Sequence, residues 1–316
     1  MNILVTGGAG FIGSHVCESL LSLGYKVVCV DNFNNYYSPT MKKKNISEAI
    51  KHKNFVLYEL DIRDKNLREI FIKEKIDRVI HLAAMAGIRY SITYPEIYFD
   101  VNVHGTLSLL KLCVEFNIKQ IIFGSSSSVY GNNPNLPLKE KYRPTPLSPY
   151  AHTKILAEEI CKFFSDYHNL NVICLRFFTV YGPRGRPDMA VYQFVKSIDE
   201  NKQITVYGKG ELSRDFTYVS DIVDGILLSL KLPNRFEVIN LGSVNSVKIT
   251  QLVSIIEKNL NKKALIIDAA KITEEAESTL ADISKAENLL GFKPKISIQE
   301  GILKYIEWYK NENKYE

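Results

Sequence analysis

The sequence predicts a doubly wound α/β fold, a parallel sheet covered by helices on both faces, followed by a smaller α/β lobe at the C-terminal end. Three observations predict it: short runs of consecutive apolar residues, helix-length amphipathic segments between them, and a glycine cluster between the first run and the first helical segment. Consecutive apolar residues, rather than strict alternation, mark strands buried on both faces, as crossover helices require. A chain of 316 residues, 46% hydrophobic and 24% charged, can bury such a core and lies outside the disordered class.

The elements follow in order. Asn2 to Thr6 is the first strand, and Phe11 to Leu23 then places apolar residues at helical spacing before stopping at Gly24. Further strands are expected at Lys26 to Val30, Phe55 to Tyr58, Arg78 to Leu82, Gln120 to Phe123 and Asn171 to Leu175. The helices between them fall at Leu67 to Lys75, Tyr98 to Phe116 and Tyr150 to Tyr167. After Leu175 the rhythm changes, because Pro183, Gly185 and Pro187 crowd one loop and charge becomes denser. The expected division is 1–176 for the sheet domain and 177–316 for a substrate-binding lobe. Phe216 to Val219 and Phe236 to Asn240 are expected to rejoin the first sheet, over about 214–242. No repeat of fixed period and no low-complexity tract is present.

Composition excludes several classes of function. The net charge of +5, from 40 basic and 35 acidic residues, is a lysine-rich surface rather than a nucleic-acid footprint. The five cysteines are odd in number, far apart and never spaced C-x-x-C, which excludes a disulfide framework and a zinc site and makes them small apolar core residues. No apolar run approaches the ~20 residues of a membrane span, and the N-terminus has no basic segment or cleavage site. The expectation is a cytoplasmic protein with no membrane partner and no metal.

The glycine cluster carries the first chemistry. Gly8-Ala9-Gly10-Phe11-Ile12-Gly13 reads G-x-G-x-x-G, and from Gly7 the same segment reads G-x-x-G-x-x-G, between a strand and a helix. Such glycines let the backbone approach a pyrophosphate whose charge sits on the helix N-terminus, the Rossmann arrangement. Gly7, Gly10, Phe11, Ile12 and Gly13 are therefore assigned to a dinucleotide. A turn that merely joins strand to helix can also be glycine-rich, and Asp31 separates the two readings. It falls 18 residues after Gly13, at the end of the second strand, where a carboxylate accepts hydrogen bonds from ribose hydroxyls. Its charge would repel a 2′-phosphate, which favours NAD over NADP; the neighbouring Asn32 joins the same set.

The second constellation is Tyr150-Ala151-His152-Thr153-Lys154, a phenol and an ammonium four residues apart on one helix face. A tyrosine acting as a base near neutrality needs a pKa depressed by ~3 units, or ~4 kcal/mol. The Lys154 cation and an oxidised nicotinamide are the expected source. The third is the run Ser125 to Ser128, just after the strand that ends at Phe123, where the carboxyl ends of strands face a ligand crevice.

Taken with Asp61-Ile62, His81-Leu82-Ala83-Ala84, Asn102, Val129-Tyr130-Gly131 and Arg214-Asp215-Phe216, these motifs resemble the extended short-chain dehydrogenase/reductase family, in particular its nucleotide-sugar epimerases and dehydratases. The resemblance covers essentially the whole chain. It implies tightly held NAD, with Asp61 and Ile62 flanking the adenine, Leu82, Ala83 and Ala84 lining the cofactor, and Phe178 joining the cofactor set. Asn102, also counted with the cofactor residues, would support the site helix. Ser126 would sit beside Tyr150 and share catalysis with it and Lys154. Arg214 would grip a substrate diphosphate, and a homodimer would form through the helices at Tyr98 to Phe116 and Tyr150 to Tyr167.

Within that family the segment Arg176 to Met189, with Thr179 where neutral-sugar epimerases and decarboxylases usually carry asparagine, looks most like UDP-glucuronate 4-epimerases, as does Ala86 to Ser91. A uronate needs donors for its carboxylate, and Arg89, Ser127, Ser128 and Thr179 are the candidates. Arg186 is assigned to the UDP-sugar as well, with phosphate binding or loop fixation as its alternatives. The reaction implied is C4 epimerisation of UDP-glucuronate to UDP-galacturonate through a 4-keto intermediate. A UDP-glucose or UDP-N-acetylglucosamine 4-epimerase and a UDP-glucuronate decarboxylase are the alternatives within the class; a non-catalytic NAD-binding protein and a dehydrogenase releasing NADH lie outside it. Two departures from the family pattern stand out: the acidic stretch Thr273 to Glu277, a solvated face in its simplest reading, and Met85 where glutamine is usual.

Overall fold

A computed structural model of the chain describes residues 1–233 and 236–312. In chain order the strands are β1 (Asn2–Thr6), β2 (Lys26–Asp31), β3 (Phe55–Glu59), β4 (Arg78–His81), β5 (Gln120–Ser126), β6 (Val172–Phe177), β7 (Thr179–Tyr181), β8 (Gln203–Tyr207), β9 (Ser213–Tyr218), β10 (Phe236–Leu241), β11 (Ser246–Lys248) and β12 (Leu265–Ala269). Among the described residues a seven-stranded sheet runs β10-β6-β5-β4-β1-β2-β3 with every pairing parallel. The strand order reverses between β1 and β4, so a crevice opens there at the carboxyl ends of the strands.

Both faces of this sheet are packed, which is why its strands read as continuous apolar runs. Ile3, Val5, Val27 and Cys29 share one core with Val16 and Leu20 of the helix Phe11–Ser22 and Ile226 of the helix Val219–Ser229. Leu4, Val28, Val30 and Val79 share the other with Leu109 of the helix Gly105–Glu115 and with Ala157 and Cys161 of the helix Pro149–His168. Successive residues of β1 thus point into opposite layers. All five cysteines are buried free thiols, as small core residues.

Two expectations change. The segment 216–219 does not rejoin the first sheet: β9 pairs parallel with β7 and antiparallel with β11 in a separate three-stranded sheet. The open edge of β6 is taken by β10 alone, over Phe236–Leu241. Apolar content marks both segments as strands but cannot say which edge each will reach. The helix expected from Tyr98 to Phe116 is also not uniform, because Phe99–His104 is a π-helical stretch between the helices Pro95–Tyr98 and Gly105–Glu115. The wider turn changes the direction of the side chains that follow it and leaves Asn102 only 2% exposed.

Candidate active site

The turn after β1 is built for close approach. Gly7 has φ +70°, and a Cβ there would lie 2.7 Å from the backbone nitrogen of Ala83, so a side chain would collide with the segment after β4 that forms the other wall of the crevice. Asp31 anchors the same turn from the end of β2: its carboxylate accepts the Ala9 N–H at 3.1 Å and the Phe33 N–H at 2.9 Å. Burial pushes its pKa up, and these backbone donors oppose the shift. At the far end of the groove Arg63 holds Asp61 through Nε and Nη2, each at 2.7 Å, and Asn32 donates to the same carboxylate at 2.7 Å. The Arg63 hydrogen bonds bring Asp61 down to about 2. Gly7, Gly10, Phe11, Ile12, Gly13, Asp31, Asn32, Asp61, Ile62, Leu82, Ala83, Ala84, Tyr150 and Lys154 all line this one groove. A glycine turn open to a phosphate, two carboxylates at one end and a lysine at the other fit a dinucleotide without a 2′-phosphate.

Two residues of the cofactor set lie elsewhere. Asn102 does not line the groove: its amide donates to the Met85 carbonyl at 3.0 Å and to the Thr153 hydroxyl at 3.0 Å, while its oxygen accepts the Met85 N–H at 2.8 Å. It ties the groove wall to the helix carrying Tyr150 and Lys154. Met85 takes part through its backbone, which explains why its side chain need not be glutamine. Phe178 lines the adjoining cavity rather than the groove, and Phe177 lines both. The two side chains leave opposite sides of an extended backbone, so adjacent positions diverge.

That adjoining cavity has a volume of about 810 Å³, within the range of sites that enclose a nucleotide-sized ligand. Ser126, Ser127, Ser128, Tyr150, Thr179, Arg89, Arg186 and Arg214 all face it, from β5 and the 3-10 turn Ser127–Tyr130, the helices Ile88–Thr93 and Pro149–His168, β7, β9 and one loop. Pairing of Thr179 with Phe216 brings β7 and β9 side by side, so Thr179 and Arg214 share a wall. Asp215 beside it is fully buried and accepts the N–H groups of Ala281 and Ser243 at 3.0 and 2.7 Å, fixing the loops around the cavity.

Tyr150 faces both cavities at once. Burial pushes its pKa up, while hydrogen bonding with Ser126 and the charge of Arg186 act downward. Lys154 Nζ donates to the Gly124 carbonyl at 2.7 Å, and burial lowers its pKa to about 8 against the opposing pull of Glu158. Lys154 Nζ lies 5.9 Å from the Tyr150 ring centroid, and Arg186, 36 residues away in sequence, adds a charge that the sequence does not mark for the phenol.

The acidic stretch is solvated at Thr273 and Glu277 but not at Glu275, which turns into the cavity. Glu275 pairs with Arg89 Nε and with Arg214 Nη2, each at 3.3 Å, and Arg89 Nη1 donates to the Tyr207 hydroxyl at 3.2 Å. Sequence reading also missed Tyr36, Tyr37 and Lys42 in the groove and Asp188 in the cavity. None sits in a spacing pattern with the fingerprint, so no local signal marks them.

A parallel sheet with a switch-point crevice, a glycine turn with a terminal carboxylate, and a Tyr-x-x-x-Lys helix facing a second cavity define a dinucleotide-dependent α/β enzyme. The sequence matches the model of the NAD dependent epimerase/dehydratase family over residues 3–242, and the chain belongs to that family. It is NAD-dependent accordingly. A UDP-glucuronate 4-epimerase of Thermodesulfobacterium geofontis (strain OPF15) is 44% identical over 311 residues, covering 97% of this chain and 95% of its own. The crystal structure of UDP-glucuronic acid 4-epimerase from Bacillus cereus, in complex with UDP-glucuronic acid and NAD, superposes with a TM-score of 0.95 at 37% identity over 98% of this chain and 99% of that one. UDP-glucose 4-epimerase of Thermotoga maritima with UDP-glucose gives a TM-score of 0.92 at 32% identity, over 99% of both chains.

Proposed function

We propose that this protein inverts C4 of UDP-glucuronate to give UDP-galacturonate. The observation that carries the uronate reading is Thr179 in the cavity wall with Ser126, Ser127 and Ser128, a cluster of hydroxyl donors beside Tyr150 where neutral-sugar epimerases usually carry an asparagine. The similarity to UDP-glucuronate 4-epimerases at 44% and 37% identity supports the same reading.

Tyr150 takes the proton of the 4-hydroxyl, with Ser126 hydrogen-bonded to the phenol, and later returns it. Bound NAD supplies a reversible hydride acceptor at C4, so no net oxidation follows. Lys154 holds its place through the Gly124 carbonyl. Arg214 holds the diphosphate and so keeps the nucleotide fixed while the 4-keto sugar presents its other face, and Arg89, which shares Glu275 with it, is a further donor for the carboxylate. Ser127, Ser128 and Thr179 hold the carboxylate. In this division, 1–176 carries the cofactor, and 177–316 shares the sugar-binding wall with it.

The protein acts as a homodimer in this reading. Leu156, Phe163 and Tyr167 on the helix Pro149–His168 are 43%, 57% and 74% exposed, and Phe99 on the π-helical stretch is 42% exposed, an apolar surface larger than scattered single residues. No described helix is long and apolar enough to cross a membrane, and five free thiols suit a reducing cytoplasm. Incubation with UDP-glucuronate and UDP-glucose in parallel, with products resolved by NMR, tests the reading. UDP-galacturonate is expected, and turnover confined to UDP-glucose overturns it. Light scattering at micromolar concentration reads the dimer.

A further inference from the structure

The loop 182–189 is fastened to the helix Phe11–Ser22 by two side chains one turn apart on that helix. His15 Nε2 donates to the Pro183 carbonyl at 2.9 Å, and Glu18 Oε1 accepts from Arg184 Nη2 at 2.7 Å. Arg184 has φ +65°, a left-handed backbone conformation that a long side chain seldom adopts, and the Gly185 N–H closes the turn on the Gly182 carbonyl at 3.1 Å. Such a conformation persists where the surroundings over-determine it, and the two contacts from the helix do so here. Arg184 turns to the helix, while Arg186, Asp188 and Met189 of the same loop line the sugar cavity. The far end of the loop is tied separately, by Arg186 Nε and Nη2 donating to Asp188, both at 2.9 Å, and by the Tyr36 hydroxyl donating to Asp188 at 3.0 Å. On the helix, Phe11 and Ile12 line both the cofactor groove and the cavity, and the Phe11 ring meets the His15 ring edge-on with centroids 6.2 Å apart.

We propose that His15 and Glu18 are positioning residues for sugar binding: they hold the loop 182–189 in the shape that receives the sugar half of a UDP-sugar, so the helix that carries the cofactor pyrophosphate also sets the sugar wall. The inference rests on the cavity as the UDP-sugar site of the proposed reaction. His15 and Glu18 act through Pro183 and Arg184, which stand behind the lining residues. A loop released from the helix spends part of its time in other shapes, and the apparent affinity for a ligand falls with the fraction of time that the competent shape is populated. Once the sugar has ordered the loop the bound state is the same, so the loss falls on KM and spares kcat. UDP alone is spared as well, because in the proposed reaction its diphosphate is held by Arg214 on β9, outside this loop. A general loosening of the fold would instead weaken NAD, UDP and the UDP-sugar together.

The experiment measures kcat and KM on the NAD-loaded enzyme with the UDP-sugar that the NMR assay shows to be turned over, and the Kd of UDP by calorimetry. His15→Ala should raise KM at least about threefold, with kcat within about twofold of wild type and with the Kd of UDP and the retained NAD unchanged. His15→Gln, which keeps an amide N–H near the place of Nε2, should restore KM to within about twofold of wild type. Glu18→Ala should raise KM in the same way and add nothing in the Arg184→Ala background. An unchanged KM in both His15→Ala and Glu18→Ala overturns the proposal, as does an equal loss for UDP and the UDP-sugar, or a fall in kcat alone. Should His15→Ala fail to fold, Glu18→Ala, at a side chain 33% exposed, carries the test with the same overturning results. Because the contrast is between a UDP-sugar and UDP, a failed uronate assignment shows only in the NMR products and leaves this test intact.

Discussion

Asn102 on the π-helical stretch and Thr153 on the helix Pro149–His168 are joined by a buried hydrogen bond of 3.0 Å, from amide to hydroxyl. The other polar atoms of the amide close on the Met85 backbone, so one side chain sets the spacing between the groove wall and the turn that carries Tyr150. Asn102→Ala leaves buried partners unsatisfied and should cost about 1–3 kcal/mol of stability. Differential scanning calorimetry should show the lowered Tm, and NAD should be retained less well through dialysis than in the wild type.

Tyr150→Phe should keep the fold and NAD while reducing turnover at least ~10²-fold, the lower end for a general acid–base group. Circular dichroism, bound NAD and a steady-state epimerase assay read the three parts separately. Activity within a few-fold of wild type would remove Tyr150 from the chemistry.

Asp31→Ala should weaken NAD binding and narrow its preference over NADP, because the carboxylate both faces the groove and holds the Ala9 N–H of the glycine turn. Calorimetric titration with each dinucleotide measures both effects. An unchanged preference would place discrimination on other groove residues.

Thr179→Ala tests how the carboxylate is kept. A 4-keto uronate is a β-keto acid, and it loses carbon dioxide when the carboxylate bond stands perpendicular to the carbonyl plane. Charge-assisted hydrogen bonds, ~1.5–3 kcal/mol each, restrain that rotation. The mutant should form more 4-keto-pentose and carbon dioxide per epimer, read by NMR. Equal loss on both routes would make Thr179 a general binding residue.

Glu158→Ala should destabilise the fold strongly. Glu158 and Arg176 form a buried bidentate pair, 2.9 and 2.6 Å, with each side chain 5% exposed, and Ser125 also donates to the carboxylate. Truncation leaves the guanidinium buried without its counter-charge, which costs about 3–5 kcal/mol. Chemical denaturation measures it; a loss below about 1 kcal/mol would mean that water replaces the carboxylate.

What the sequence by itself determined is whatever depends on short spacing. The strands of the first sheet were legible because burial on both faces writes a continuous apolar run. The glycine turn, the carboxylate at the end of β2, the serine run and the Tyr150–Lys154 spacing were legible because each is a local rule of backbone or helix geometry. The tertiary structure decided what depends on distant segments meeting. It placed β9 beside β7 instead of β6, and it set Asn102 behind the groove rather than in it. It also brought Glu275 between Arg89 and Arg214, and Tyr36 and Asp188 around Arg186, across 152 residues in the last case. Polar side chains in such pairs carry no hydrophobic period and no fixed spacing. Their partners are selected only when the packed layers bring them within hydrogen-bond reach and burial makes an unpaired charge too costly to keep.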